Sequence, residues 1–101
     1  GFNREEAATF PDNSKAYIQA INQALFYSTA NHVEVESPTL DLTKSEIVQL
    51  GTQLNVPFDL LWSCYDDESA MCGACESCQR LKRALHFNGV KLDEKFINPL
   101  L

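Results

Sequence analysis

The stretch "WSCYDDESAMCGACESCQR", Trp62 to Arg80, holds all four cysteines of a 101-residue chain. They are spaced Cys64-x7-Cys72-x2-Cys75-x2-Cys78. A tetrahedral zinc ion takes four ligands, with sulfur about 2.3 Å from the metal, and structural sites prefer thiolates. A C-x2-C pair forms a tight knuckle that sets both sulfurs on one ion, and Cys72, Cys75 and Cys78 make two overlapping knuckles. Gly73 permits the backbone twist that turns amides toward sulfur. Cys75 and Cys78, three residues apart, share a face if a helix starts there. Cys64 must then return across "YDDESAM" to close the site. Two disulfides, an iron–sulfur cluster and four ordinary buried thiols are the competing readings. Disulfides suit secreted chains. Iron–sulfur motifs of the C-x2-C-x2-C type add a further cysteine followed by proline, whereas here the fourth cysteine lies upstream and Gln79 follows Cys78. Zinc is the preferred reading. Four thiolates leave no open coordination position, so such a site folds the chain and activates no water.

The rest of the composition bounds what surrounds this segment. The length allows one domain at most, and 45% hydrophobic residues permit a single modest core, small enough to benefit from a metal or cross-link. A net charge of −6 and a pI near 4.7 argue against nonspecific binding to nucleic acid or to an anionic membrane surface, since both need a cationic footprint, and no direct nucleic-acid partner is expected. No apolar run approaches the roughly 18 residues of a membrane span. The opening "GFNREEAATF" lacks the basic and apolar regions of a signal peptide. Met71 is the only methionine, so Gly1 does not read as an initiator and the chain reads as a C-terminal fragment. A cytoplasmic origin is the default expectation, where thiols stay reduced unless a metal holds them.

Along the chain, residues 1–13 read as a loop or short irregular helix ending in the turn-like "FPDNS". Asp12 and Asn13 are candidate N-caps for a helix from about Ser14 to Thr29. Its inward face would carry Ile18, Ile21, Leu25 and Ser28, flanked by Tyr17 and Ala24. "HVEVES", 32–37, alternates apolar and polar and predicts a short strand ended by Ser37-Pro38. Thr43 and Glu46 have the spacing of a capping box for a helix carrying Ile47, Val48, Leu50 and Leu54, stopped by Asn55 and Pro57. "PFDLLW" is a short apolar element. The last helix runs from near Cys75 to Asn88, with Leu81 and Leu85 inward and Gly89 as its stop. The tail docks through Phe96, Ile97, Leu100 and Leu101. A helix–strand–helix order suggests part of an α/β sheet.

Other candidate chemistry is weaker. In "FPDNS", Asp12 could accept from a guanine-like N–H edge with Phe10 stacking nearby, or the segment could be only a helix cap. Asn3, Arg4, Glu5 and Glu6 form a polar run whose carboxylates could do acid–base work, though such runs are more often solvated faces. His32 and His86 have no catalytic partner in the pattern and read as structural. Arg80, Lys82 and Arg83 form a small basic patch that suits a helix C-terminal half. No phosphate-cradling glycine loop is present.

Two segments together, "GFNREEAATFPDNS" and "SPTLDLTKSEIVQLGTQLNVPFDLLWSCYDDESAMCGACESCQRLKRAL", resemble the C-terminal half of the 7-cyano-7-deazaguanine synthase family of queuosine biosynthesis. The match spans Gly1 to about Asn88. Its most specific parts are "SPT" with K-x-E-I, the "SCY" stretch and the C-G-x-C-x-x-C knuckle. The resemblance implies the C-terminal portion of a Rossmann-like α/β fold, that of the adenine nucleotide α-hydrolases or ATP pyrophosphatases, with helices and a four-cysteine zinc knuckle. Residues 1–60 would belong to the substrate side of that domain and 61–101 to a zinc-binding subdomain. It further implies an ATP-dependent ligase that adenylates 7-carboxy-7-deazaguanine, forms the amide with ammonia and dehydrates it to the nitrile. One structural zinc would sit on Cys64, Cys72, Cys75 and Cys78, and members are commonly homodimers. The S-G-G-x-D-S loop that binds ATP in the family has no counterpart in these residues, so this chain alone is expected to be inactive. The family segment aligned with "FPDNS" often reads Y-P-D-C-R; Pro11 and Asp12 match, while Phe10, Asn13 and Ser14 depart. Asp12 is the leading substrate-contact candidate, followed by Asn3, Arg4 and Phe10. A non-catalytic zinc module for protein interaction, and a sibling ATP pyrophosphatase with another substrate, are the alternatives.

Overall fold

The computed structural model describes residues 2–66 and 69–99. Four α-helices account for most of the regular structure: α1 (Arg4–Thr9), α2 (Lys15–Ser28), α3 (Lys44–Gln53) and α4 (Glu76–Phe87). Short 3-10 turns lie at Pro11–Asn13, Phe58–Leu60 and Asp93–Lys95. By packing, the chain separates into two compact units, Gly1–Thr43 and Lys44–Leu101. Within the second unit α3 packs on α4.

In the first unit, side chains bonded to backbone set the element ends. Asn3 caps α1, its Oδ1 accepting from Glu6 N at 2.9 Å. The cap of α2 is Ser14 rather than Asp12 or Asn13: its Oγ accepts from Tyr17 N at 3.1 Å. Pro11 opens a 3-10 turn that takes up Asp12 and Asn13, and Ser14 is the first residue after it with the extended backbone a cap needs. On α2, Ile18, Ile21 and Leu25 are half-buried as the helical spacing predicts, while Tyr17, Ala24 and Ser28 are exposed.

The strand expected over 32–37 does not form, and no strand is found among the described residues. The segment lacks a ladder partner. Instead Asn22 imitates one, its Oδ1 accepting from Val35 N at 2.6 Å and its Nδ2 donating to Val35 O at 3.0 Å. Alternation selects extended backbone, but a strand also needs a neighbour for its N–H and C=O groups.

The second unit contains the core. Val48, Met71, Cys78, Leu81, Ala84, Leu85 and Phe96 are buried together, with Phe58, Cys64, Cys72, Cys75, Val90 and Leu92 packed against them. On α3 the inward residues are Val48 and Gly51, with Ile47 half-buried. Leu50 and Leu54 are exposed, because the 100° step per residue puts them on the flank away from Val48. Both helices end in the same six-residue device. Asn55 (φ 57°) and Gly89 (φ 70°) are left-handed. Val56 N donates to Gly51 O and Val90 N to Leu85 O, each at 2.9 Å, which satisfies the last-turn carbonyls. Asn88 Nδ2 joins the end of α4 to the start of α3 through Ser45 O at 2.9 Å.

The tail docks through Phe96, which is buried, and Ile97 is exposed; Leu100 and Leu101 lie outside the described residues. Phe96 pairs with Met71 in an isolated parallel bridge. The basic patch expected on α4 is dispersed: Lys82 is only 6% exposed and Arg80 pairs with Glu76. No described helix is long and apolar enough to cross a membrane.

Candidate metal centre

The four cysteines converge. Their sulfurs all lie within 4.8 Å of one another, and the group could hold a metal ion. Ideal tetrahedral thiolates on a single ion stand about 3.8 Å apart, from a metal–sulfur length near 2.3 Å. The observed cluster thus needs only slight contraction onto one ion, and no disulfide links its members.

Backbone amides surround the sulfurs. Asp66 N and Cys72 N each donate to Cys64 Sγ at 3.3 Å. Ala74 N and Cys75 N donate to Cys72 Sγ at 3.3 and 3.2 Å. Gly73, with φ 73°, makes the turn that aims them. Cys75 caps α4, its sulfur accepting from Cys78 N at 3.4 Å. Cys75 and Cys78 thus sit at the positive end of a helix dipole, where thiolate charge is favoured. Ser63 donates to Cys78 Sγ at 3.7 Å. Amide donors reduce the mutual repulsion of thiolates gathered on one cation and orient each ligand.

The protonation of the metal-free thiols follows from these contacts. Burial disfavours the Cys75 thiolate, but the N–H groups of Tyr65 and Cys78 and the Cys78 and Cys72 thiols outweigh it, and the thiol is lowered to about 7. Burial pushes Cys78 up to about 12 against the Gly73 amide and the Ser63 hydroxyl. A metal ion must therefore displace a proton from Cys78 at neutral pH, so its affinity falls as pH falls.

The remaining expected site residues lie in the first unit. Asp12 and Phe10 are exposed, and Asp12 Oδ1 accepts from Asn13 Nδ2 at 3.0 Å. Asn3 is 1% exposed and engaged as the α1 cap. Arg4 is exposed, and its backbone N–H donates to Leu42 O at 2.8 Å. His32 stacks on Phe26 with ring centroids 4.2 Å apart, and its Nδ1 lies 3.0 Å from Phe26 O. His86 is exposed on α4.

Sequence reasoning missed the tail's part in the centre. Asn98 N and Nδ2 donate to Cys72 O at 3.1 and 2.7 Å, and Lys82 Nζ donates to Asn98 O at 2.7 Å. These contacts join residues 16 and 26 positions apart and leave no local signal in the chain.

A small helical unit closed around four thiols that could hold one metal ion defines a cysteine-knuckle protein. The model of the family described as "Queuosine biosynthesis protein QueC" matches residues 1–89, and the chain belongs to that family. It is 61% identical over 84 residues to a protein named 7-cyano-7-deazaguanine synthase from Carboxydothermus hydrogenoformans, covering 83% of this chain and 39% of that one. Similarity to proteins of the same name extends to Desulforamulus reducens, 54% over 97 residues covering 96% and 42%, and to Methanosarcina barkeri, 50% over 91 residues covering 90% and 39%. The chain spans about two fifths of the length of these curated relatives. No solved structure matches it.

Proposed function

We propose that the chain is the zinc-bearing, substrate-side portion of an ATP-dependent ligase that converts 7-carboxy-7-deazaguanine and ammonia to 7-cyano-7-deazaguanine in queuosine biosynthesis. The observation that carries this reading is the 61% identity to a relative bearing the synthase name. The chemistry is coherent. A carboxylate is a poor electrophile for ammonia. Adenylation converts it to an acyl-adenylate with a good leaving group, ammonia then gives the amide, and a second activation removes water to leave the nitrile. The phosphate-binding loop for ATP has no counterpart in these 101 residues, so the chain by itself is inactive in this reading.

The role of each part follows. Residues 1–60 lie on the substrate side of an ATP pyrophosphatase-like α/β domain, in which the extended segment 32–37 gains its strand partner. Asp12 accepts from the guanine-like N–H edge and Phe10 stacks on the base. Asn3 fixes the segment by capping α1, and Arg4 stands beside it. Residues 61–101 form the zinc subdomain. One zinc is held by Cys64, Cys72, Cys75 and Cys78, with a closed tetrahedral shell that takes no part in the reaction. A single ion is favoured over a multi-iron cluster because the sulfurs are too close together to surround a sulfide-bridged core. The assembly is a cytoplasmic homodimer that acts on small molecules without contacting nucleic acid or membrane.

A chimera tests the assignment. This chain replaces the matched segment of the Carboxydothermus relative, and the product is followed by mass spectrometry with ATP, ammonia and 7-carboxy-7-deazaguanine. The expected result is nitrile formation near the relative's own rate, with Asp12→Ala lowering kcat/KM by about a hundredfold, the loss of a charge-assisted hydrogen bond to the substrate. A folded, zinc-loaded chimera that leaves the acid unconverted contradicts the proposal.

A further inference from the structure

We infer that the tail segment Lys95–Asn98 is a latch on the metal knuckle, and that Asn98 and Lys82 are positioning residues that slow the release of the bound ion. The inference rests on the zinc reading of the four thiols and concerns this chain's own residues around it.

The matched family region ends at residue 89, yet the next ten residues return to the knuckle. Met71 N donates to Lys95 O at 3.1 Å and Ile97 N to Met71 O at 2.8 Å, which brings the tail alongside the residue before Cys72. Asn98 then grips the Cys72 carbonyl twice, through N at 3.1 Å and Nδ2 at 2.7 Å. The Asn98 carbonyl in turn packs over Gly73: a Cβ on Gly73 would stand 2.1 Å from that oxygen. The same oxygen accepts from Lys82 Nζ at 2.7 Å, and the ammonium also lies 5.9 Å from the centroid of the Phe96 ring. Lys82, only 6% exposed, thus ties α4 to the tail over the turn.

The Cys72–Gly73 peptide is the one the latch holds. The next two amides, Ala74 N and Cys75 N, are the donors to Cys72 Sγ. Rotation of the Cys72–Gly73 peptide would swing those donors off the sulfur and loosen one of the four ligands. Release of a closed four-thiolate ion begins with dissociation of one ligand, so a clamp on this peptide acts on the first step. Gly73 has two reasons to be glycine: its positive φ and the carbonyl pressed against it.

The test uses the 101-residue chain loaded with zinc and measures release to a chromogenic chelator in excess, with zinc content determined beforehand. Asn98→Ala removes one of the two bonds to Cys72 O, and Lys82→Met keeps the aliphatic stem while removing the donor to Asn98 O. Each is expected to load one zinc and to release it about three- to twentyfold faster, the scale of one hydrogen bond lost in a partly buried setting. Amide exchange of Ala74 and Cys75 should accelerate in the same variants, a readout that a general loss of stability would spread over α4 as well. Lys91→Met, on the exposed side of the tail, serves as the control with unchanged release. Zinc-loaded variants that release metal at the parent rate overturn the latch and leave the metal centre standing. A parent chain that binds no zinc overturns both.

Discussion

Residues 2–43 and residues 44–99 solve the same problem by different means. Among the described residues, the second unit buries seven apolar or thiol side chains around its cysteine knuckle. In the first unit the only described residue in the buried class is Asn3, an amide serving as a helix cap. The first unit is held by side-chain-to-backbone bonds: Ser14 at α2, Asn22 on Val35, Thr29 on Leu25 and Val33, and Thr39 on Phe2. Such bonds fix local direction, but each adds only about 1 kcal/mol net. The second unit adds non-directional burial, at about 1.5–3 kcal/mol for each large apolar side chain, and a cysteine cluster that could close a loop on a metal ion. Small units below the size of a self-sufficient core gain most from such a staple.

The largest expected break in this contrast is Cys78→Ser. Cys78 is both a ligand candidate and the centre of the core, with no exposed surface. Structural zinc in small domains supplies on the order of 10 kcal/mol of folding free energy. Loss of this thiolate should collapse the dispersion of amide resonances from 44–99 while those of α2 shift little. A variant that keeps dispersed resonances for Leu81 and Leu85 would show that the apolar core alone holds the second unit.

A smaller effect separates the two units directly. Leu85→Ala, at 3% exposure beside Met71 and Cys78, should cost about 2–4 kcal/mol, the range for a buried leucine with its cavity. Leu25→Ala on the half-buried face of α2 should cost about 1 kcal/mol or less, since less apolar surface leaves contact. Denaturant unfolding of the zinc-loaded chain measures both. Equal costs would contradict the difference in burial on which the comparison rests.

The contrast also explains what could be read from the chain. The convergence of the cysteines was legible because its determinants are local: three of them lie within seven residues, with Gly73 inside the turn they require. The helices were legible for the same reason, from apolar spacing and from the stops at Asn55 and Gly89. The segment 32–37 was misread because alternation reports backbone preference and not the presence of a partner. Which of the apolar residues of α3 would be buried could not be read, because the face α3 buries is chosen by α4 and not by α3's own sequence. Lys82 looked like a surface charge until the tail supplied its acceptor. Each of these depends on a contact distant in the chain, which neither composition nor period encodes.

The most direct measurement is the metal content of the purified chain, by elemental analysis, with thiol titration before and after a strong chelator. One zinc per chain is expected, with four thiols that react only once the metal is removed. A metal-free chain whose cysteines react at once, or are paired as disulfides, would contradict it.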